Sequence, residues 1–479
     1  MRRILILIIL ATVLTGATTA QQRVTVNIDK EQRLQRIEGW GSSLCWWANM
    51  CGQWEEKTID RLLELITAKD GLNMNIFRYN IGGGDDPSHA NGHMVRGKGK
   101  RTEMPGFKAS ADSPYDWSAD EGQRRIMLKI KKLRPDAVFE AFSNSAPYWM
   151  TYSGCSAGHP DPTKDNLKPE YYGMFCDYLI DVCKHYKQEY GIEFKTLEPF
   201  NEPTSNYWHH LGSQEGCHFD IQSQIELLRV LYPKLQASGL KTVISASDET
   251  NIGAAIKVWK AYSQHPDIMR MVKQFNLHTY SGTNNQRREI HRLISDSGIE
   301  FWQSETGPQW DRELRPKGNS AFENNLYLAK KLFRDMKIMQ PQAWLDWQLV
   351  EEGNRTWCQI KANFATEEFT VLKNYYVRQN ITRFIRQGYT LLHTENENTL
   401  AAISPNGKEF VMVLLNVENK AFEANIDLST FKKVTPKAKA YRTSASENCQ
   451  LLEPATVCNK QLNYRAEPMS ITTIVAKVK

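Results

Sequence analysis

Apolar residues come in short runs along most of the chain, and amphipathic stretches separate those runs. The runs predict strands over residues 36–41, 75–79, 137–143, 196–200, 242–246, 274–277, 300–303 and 343–347. Between them, residues 58–68 put Ile59, Leu62, Leu63 and Ile66 on one helical face, and 172–190 and 220–237 show the same period. Gly71, Gly191 and Gly239 stand where helices should stop, since glycine enters the left-handed region without steric cost. Strands that alternate with helices predict a parallel α/β sheet. Eight such repeats predict its closure into a (β/α)8 TIM barrel.

The pattern changes after about residue 386, where apolar and polar positions begin to alternate. Thr399–Ile403 and Glu409–Asn416 flank Ser404-Pro405-Asn406-Gly407, a hairpin signal. Residues 422–428, 438–443 and 470–478 continue the alternation, which predicts an antiparallel β-sandwich domain. Residues 24–28 form a strand that precedes the barrel and is expected to join that domain. The expected division is 1–20 a leader, 21–36 the N-terminal strand of the β-sandwich, 37–384 the barrel and 385–479 the rest of the sandwich.

The leader follows from Met1-Arg2-Arg3, an apolar run from Ile4 to Leu14 and small residues at Thr18 and Ala20 before Gln21. This is the form of a cleavable signal peptide, with a core too short to span a bilayer. It predicts a secreted or periplasmic protein with no membrane span after cleavage. The 60 Lys plus Arg nearly balance 54 Asp plus Glu, which leaves no electrostatic footprint for nucleic acid. Nine cysteines are too few for a disulfide scaffold, and an odd number leaves one unpaired. Cys449 and Cys458 make the best pair, whereas Cys176 and Cys183 share a helix face too far apart to bond. No Cys-x-x-Cys occurs and His209, His210 and His218 lack zinc-site spacing, so neither a metal nor a cofactor is expected. Asn354-Arg355-Thr356 and Asn380-Ile381-Thr382 match glycosylation sequons, which are frequent by chance, and the basic run 96–101 reads as a solvated loop.

In such a barrel the chemistry belongs at the C-terminal ends of the strands. There the sequence has Gly39-Trp40-Gly41, Arg78-Tyr79-Asn80, Asn144, Asn201-Glu202-Pro203, Ser247-Asp248-Glu249, His278-Thr279-Tyr280, Ser304-Glu305 and Trp347. Glu202 and Glu305 can aim at one bond from across the ring, as glycoside hydrolysis requires: one carboxylic acid and one carboxylate. Asn201 can hydrogen-bond a sugar hydroxyl, while Tyr280 and Arg78 can hold Glu305 ionised. Asn144, His278 and Asp85 are further polar candidates. The 13 tryptophans exceed what core packing explains, and Trp40, Trp46, Trp47, Trp149, Trp208, Trp310 and Trp347 near strand ends are candidate sugar platforms.

At Gly39-Trp40-Gly41-Ser42-Ser43, Phe77-Arg78-Tyr79-Asn80-Ile81-Gly82-Gly83-Gly84, Ser143-Asn144-Ser145-Ala146-Pro147-Tyr148-Trp149-Met150, Asn201-Glu202-Pro203 and Ser304-Glu305-Thr306-Gly307 the chain resembles glycoside hydrolase family 30. The resemblance spans the whole mature chain. It implies a retaining, metal-free mechanism with Glu202 as acid/base and Glu305 as nucleophile. The stretch from Gly39 to Ala48 and Tyr79-Asn80-Ile81-Gly82-Gly83-Gly84-Asp85-Asp86 are similar to the endo-β-1,6-galactanase branch, which cuts galactan side chains of arabinogalactan. The alternatives are β-1,6-glucanase, glucosylceramidase-like or xylanase-like activity, or glycan binding without turnover. The expected partner is a polysaccharide or oligosaccharide, and the expected state is a monomer.

Overall fold

The computed structural model describes residues 23–86, 102, 104–308, 320–353 and 356–479. The expected leader, the basic run 96–101, Trp310, Asn354 and Arg355 lie outside the described residues. Eight parallel strands close into a barrel: Gly39–Ser43, Ile76–Asn80, Val138–Phe142, Thr196–Glu198, Val243–Glu249, Val272–His278, Glu300–Glu305 and Ala343–Asp346. Ala343 pairs with Gly39 and Trp344 with Trp40, which seals the ring between the last strand and the first. The fourth and seventh strands stand three places apart round that ring.

Alternation of side chains gives the strands two faces. Phe77, Tyr79, Phe139, Ala141, Leu197, Ile244 and Ala246 point outward and join the core beneath the helices. Inside, Ile76, Trp302, Ala343 and Leu345 form an apolar floor, with Val138 against it. Above that floor the interior turns polar, with Arg78, Glu140, Ser245, Gln274 and Asn276 all buried. The helices follow their periodicity. Glu56–Thr67 buries Ile59, Leu62, Leu63 and Ile66. Tyr172–Tyr190 ends on Gly191 at φ +60°, a left-handed cap that glycine accepts freely. Gly71 lies beyond the end of its helix at Thr67 and does not cap it.

The chain ends build an eleven-stranded sheet folded into a sandwich. Arg23–Asn27 joins it by pairing with Phe422–Asp427 in parallel, unlike its other, antiparallel pairs. A second N-terminal strand, Arg33–Arg36, pairs with Thr390–Leu392 on the opposite edge. Glu409–Asn416 is buried on both faces. Phe410, Met412 and Leu414 enter the sandwich core, while Val411, Val413 and Leu415 meet the barrel. This explains its continuous apolar run. A three-stranded sheet follows the last barrel strand, from Val350–Glu351, Ile360–Asn363 and Glu368–Val371.

Two expectations need correction. All nine cysteines are free, Cys449 and Cys458 included. Cys449 faces the seam between barrel and sandwich, whereas Cys458 is exposed at the end of its strand. Trp40 is not at the barrel rim. It is 1% exposed in the same seam, and its indole N–H donates to the Ile385 carbonyl at 2.5 Å. Trp40→Phe should therefore lower the free energy of unfolding by about 1–3 kcal/mol, because it strands a buried carbonyl. Denaturant titration measures this, and KM below the unfolding range should stay unchanged.

Candidate active site

Glu202 lies just past the fourth strand, in the left-handed region at φ +49°. Its N–H donates to the Asp248 carbonyl at 2.9 Å, and its own carbonyl accepts from Trp208 Nε1 at 3.1 Å. Two backbone anchors thus hold an otherwise unfavourable conformation. Glu305 is the last residue of the seventh strand. Glu202 and Glu305 are 6% and 3% exposed, so both carboxyls are nearly enclosed.

Arg78 rises from the second strand into the barrel and is fully buried. Its guanidinium donates to Glu140 Oε1 at 2.9 Å, to Glu305 Oε2 at 3.1 Å and to Asp248 Oδ2. The Phe142 ring lies 4.0 Å beneath it. Burial opposes its charge, but the three carboxylates outweigh burial and keep it a permanent cation. Asp248 also accepts from Ser304 Oγ. Burial would raise Asp248, yet Arg78 and His278 hold it below the usual range.

His278 stands between the two glutamates. Its Nδ1 is 3.1 Å from Glu202 Oε1 and 3.5 Å from Glu305 Oε1, and its Nε2 is 3.2 Å from Asp248 Oδ1. Burial would lower it, but Glu305 and Asp248 prevail and raise it to about 10, so the ring is an imidazolium. One oxygen of each glutamate and Nδ1 lie within 4.8 Å of one another, a spacing that could suit a metal. Glu305 is pushed up to about 7 by burial, against the pull of His278 and Arg78. The Tyr280 hydroxyl donates to Glu305 Oε1 at 2.8 Å.

The remaining candidates divide. Asn201 is 5% exposed, and its carboxamide oxygen meets no protein donor. Trp347 sits edge-on to Trp46 with centroids 5.1 Å apart, and its backbone N–H donates to the Thr306 carbonyl beside Glu305. Trp357 adds to this wall, with its ring 6.0 Å from Tyr280. A Cβ on Gly307 would lie 2.2 Å from the Trp357 ring, so glycine lets that indole close in. Asn144 is buried at the rim, where its N–H donates to Asn80 Oδ1 at 3.2 Å. Asp85 lines a cleft of about 660 Å³ with Tyr148, Lys108 and Met104. Trp149 is half-buried, its indole N–H donates to the Lys108 carbonyl at 2.9 Å, and its ring packs edge-on to Tyr171. Trp47 and Trp208 are core residues that donate to the carbonyls of Ser43 and Glu202.

Sequence reasoning gave no role to Asp248, Tyr207, Glu215 and Glu140. Asp248 and Glu140 become visible only when barrel closure brings Arg78 to them. Tyr207 belongs to the loop after Glu202 and donates to Glu202 Oε2. Glu215, from the same loop, accepts from Asn80 Nδ2 at 2.7 Å and Gly83 N at 2.6 Å.

The closed eight-stranded barrel with its side sandwich is the architecture of a TIM-barrel glycoside hydrolase, and likeness to known proteins places the chain in that class. The family model described as O-Glycosyl hydrolase family 30 matches residues 23–356, and the chain belongs to that family. It is 31% identical to an endo-β-1,6-galactanase from Hypocrea rufa over 415 residues, 83% of this chain and 82% of that protein. It is 24% identical to an exo-β-1,6-galactobiohydrolase from Bifidobacterium longum subsp. longum over 84% of this chain, but spans only 35% of that longer protein. The catalytic domain of the GH30 xylanase C from Talaromyces cellulolyticus superposes with a TM-score of 0.72 at 16% identity, covering 95% of this chain and 100% of that one. Within the family the chain is galactanase-like.

Burial raises Glu215 from the usual carboxylate range to about 8. An acid whose folded value is raised favours the fold most below its unfolded value and loses that contribution as pH rises through the folded one. Melting temperature should therefore decline from the ordinary carboxylate range up to about pH 8. Glu215→Gln, a neutral mimic, should make that decline shallower in a pH series of thermal melts.

Proposed function

We propose that the protein is a secreted retaining hydrolase of β-1,6-galactosidic linkages in the galactan side chains of arabinogalactan. The observation that carries the reading is the pair Glu202 and Glu305, with nearest oxygens within 4.8 Å and the His278 ring between them. Retaining enzymes hold their carboxyl groups about 5–5.5 Å apart, whereas inverting ones leave room for a water at roughly 6.5–9.5 Å. Oxygens that close accord with retention, which the family resemblance implies. Sequence likeness to two enzymes named for β-1,6-galactan linkages supports the substrate.

Glu305 attacks the anomeric carbon while Glu202 protonates the departing oxygen, and a galactosyl ester forms on Glu305. Glu202 then takes a proton from water, which attacks the same carbon and releases Glu305. Arg78 and Tyr280 stabilise Glu305 when it carries negative charge, both before attack and as it leaves. Asn201 offers its unpartnered carboxamide oxygen to a sugar hydroxyl. Trp46, Trp347 and Trp357 form an apolar wall suited to a sugar face.

Incubation with de-arabinosylated arabinogalactan, β-1,6-glucan and glucuronoxylan tests the substrate. Galactose or short galacto-oligosaccharides should form from the first, and release from glucan alone would overturn the galactan assignment. Glu202→Gln should lower kcat on galactan roughly 10²–10⁴-fold. Glu305→Gln should abolish turnover and keep binding, and parent-like sugar release by that variant would remove Glu305 as nucleophile. Because burial raises Glu305 to about 7, it ionises as pH rises toward neutrality. The acid limb of kcat/KM should accordingly lie above the ordinary carboxylate range.

A further inference from the structure

The two oxygens of Glu202 have different neighbours. Oε1 meets His278 Nδ1, which also faces Glu305, so this oxygen looks toward the nucleophile. Oε2 accepts the Tyr207 hydroxyl. Tyr207 is 49% exposed overall, and its ring stands edge-on to Trp208 with centroids 4.7 Å apart. Its hydroxyl is nevertheless enclosed between Glu202 and Thr250, whose Oγ1 lies 3.3 Å away. Burial and the neighbouring carboxylate both raise the phenol, so it remains a proton donor.

A general acid must present its proton on the side where the leaving sugar departs. Oε2 faces away from the His278–Glu305 side, and Tyr207 already covers it. A sugar is too bulky to approach that oxygen with the phenol in place. A water molecule is not, because a carboxylate oxygen has a second lone pair.

We propose that Tyr207 is a positioning residue that exchanges places with the leaving sugar at Glu202 Oε2, so that this oxygen is open to the sugar in the first half of the reaction and held for water in the second. The proposal rests on Glu202 being the acid/base. With the leaving sugar bound, the exposed Tyr207 side chain moves off Oε2 toward Thr250, and Oε2 is open to the glycosidic oxygen. The Glu202 proton passes to the glycosidic oxygen as the C1–O bond breaks and a bond from C1 to Glu305 forms. With the sugar gone, the hydroxyl returns and donates to Oε2, which holds the carboxylate in place to receive a water proton. The carboxylate then takes a proton from water, the water oxygen bonds to C1, and Glu305 is released. His278, Glu305, Tyr280 and Glu249 are the other titratable groups around Glu202, and Glu249 is held by Thr204 and Gln224. The exposed Tyr207 ring serves as a platform for the departing unit.

Tyr207→Phe keeps the ring on Trp208 and removes the donor. On an aryl β-galactoside with a good leaving group, the first step needs no acid and hydrolysis of the galactosyl ester sets kcat. The variant should show an unchanged burst, a kcat lowered about tenfold and accumulation of sugar-bound protein by intact mass. Azide, a nucleophile that needs no base, should restore turnover. If burst and steady state fall together, or azide gives no recovery, Tyr207 merely supports the fold of the loop and the proposal is overturned. Tyr207→Ala should in addition raise KM for galacto-oligosaccharides, and an unchanged KM would remove the platform. Glu202→Ala in the same azide assay separates the two readings. Failure of azide to restore that variant would overturn the acid/base assignment itself.

Discussion

The site depends on a guanidinium that water does not reach. Arg78 is fully buried, and carboxylates from the third, fifth and seventh strands surround it. A buried ion costs several kcal/mol unless its partners offset the loss of hydration. Here the partners are placed by barrel closure, since none of them neighbours Arg78 in sequence. Glu140 in turn accepts from Thr196, Gln274 and Asn276, so strands four and six are tied to the same charge. The apolar floor of Ile76, Trp302, Ala343 and Leu345 seals this layer from below. The polar interior and the position of Glu305 are thus one arrangement, because the guanidinium that fills the barrel also holds the Glu305 carboxylate.

Much of this was legible in the sequence. The period of the apolar runs located all eight strands, and the polar residues at their ends included Glu202, Glu305, Arg78 and Tyr280. The errors have a common physical origin. A strand end shows which residues are near the rim, but not which way each one points. Trp40 and Arg78 both lie in barrel strands, yet Trp40 faces the sandwich and Arg78 the interior. Asp248 stood at a strand end without an evident task, because its task is defined by Arg78 and His278 on other strands. Tyr207 and Glu215 belong to a loop whose path no periodicity encodes. That path is fixed partly by His218, whose Nδ1 lies 2.9 Å from the Ser205 carbonyl and can only donate to it.

The sandwich bears on the same site through the seam. Val411, Val413 and Leu415 press on the barrel helix Ala321–Arg334, with Trp40 and Trp344 in the same cluster. The Trp344 indole donates to Asp335, which also accepts from Thr279 and Arg287. Thr279 lies between His278 and Tyr280 in sequence, so the seam braces the segment that presents both residues to the glutamates. A strand buried on both faces cannot shift register without exposing one apolar set. The sandwich therefore gives the barrel wall a rigid backing, which a lone TIM barrel would draw only from its helices.

The two glutamates are held in unlike ways, and their proposed tasks differ in the same sense. Glu305 ends a strand and is gripped by Arg78, Tyr280 and His278. A nucleophile must stay in line with one carbon through both steps, and fixed contacts from separate strands suit that. Glu202 lies beyond its strand, with a fixed backbone but a carboxyl whose outer oxygen meets a half-exposed loop residue. An acid/base must serve two different oxygens in turn, that of the leaving sugar and that of water. Rigid backbone anchors keep the carboxyl within reach of both, and a partner that can leave and return lets one carboxyl act first as acid and then as base.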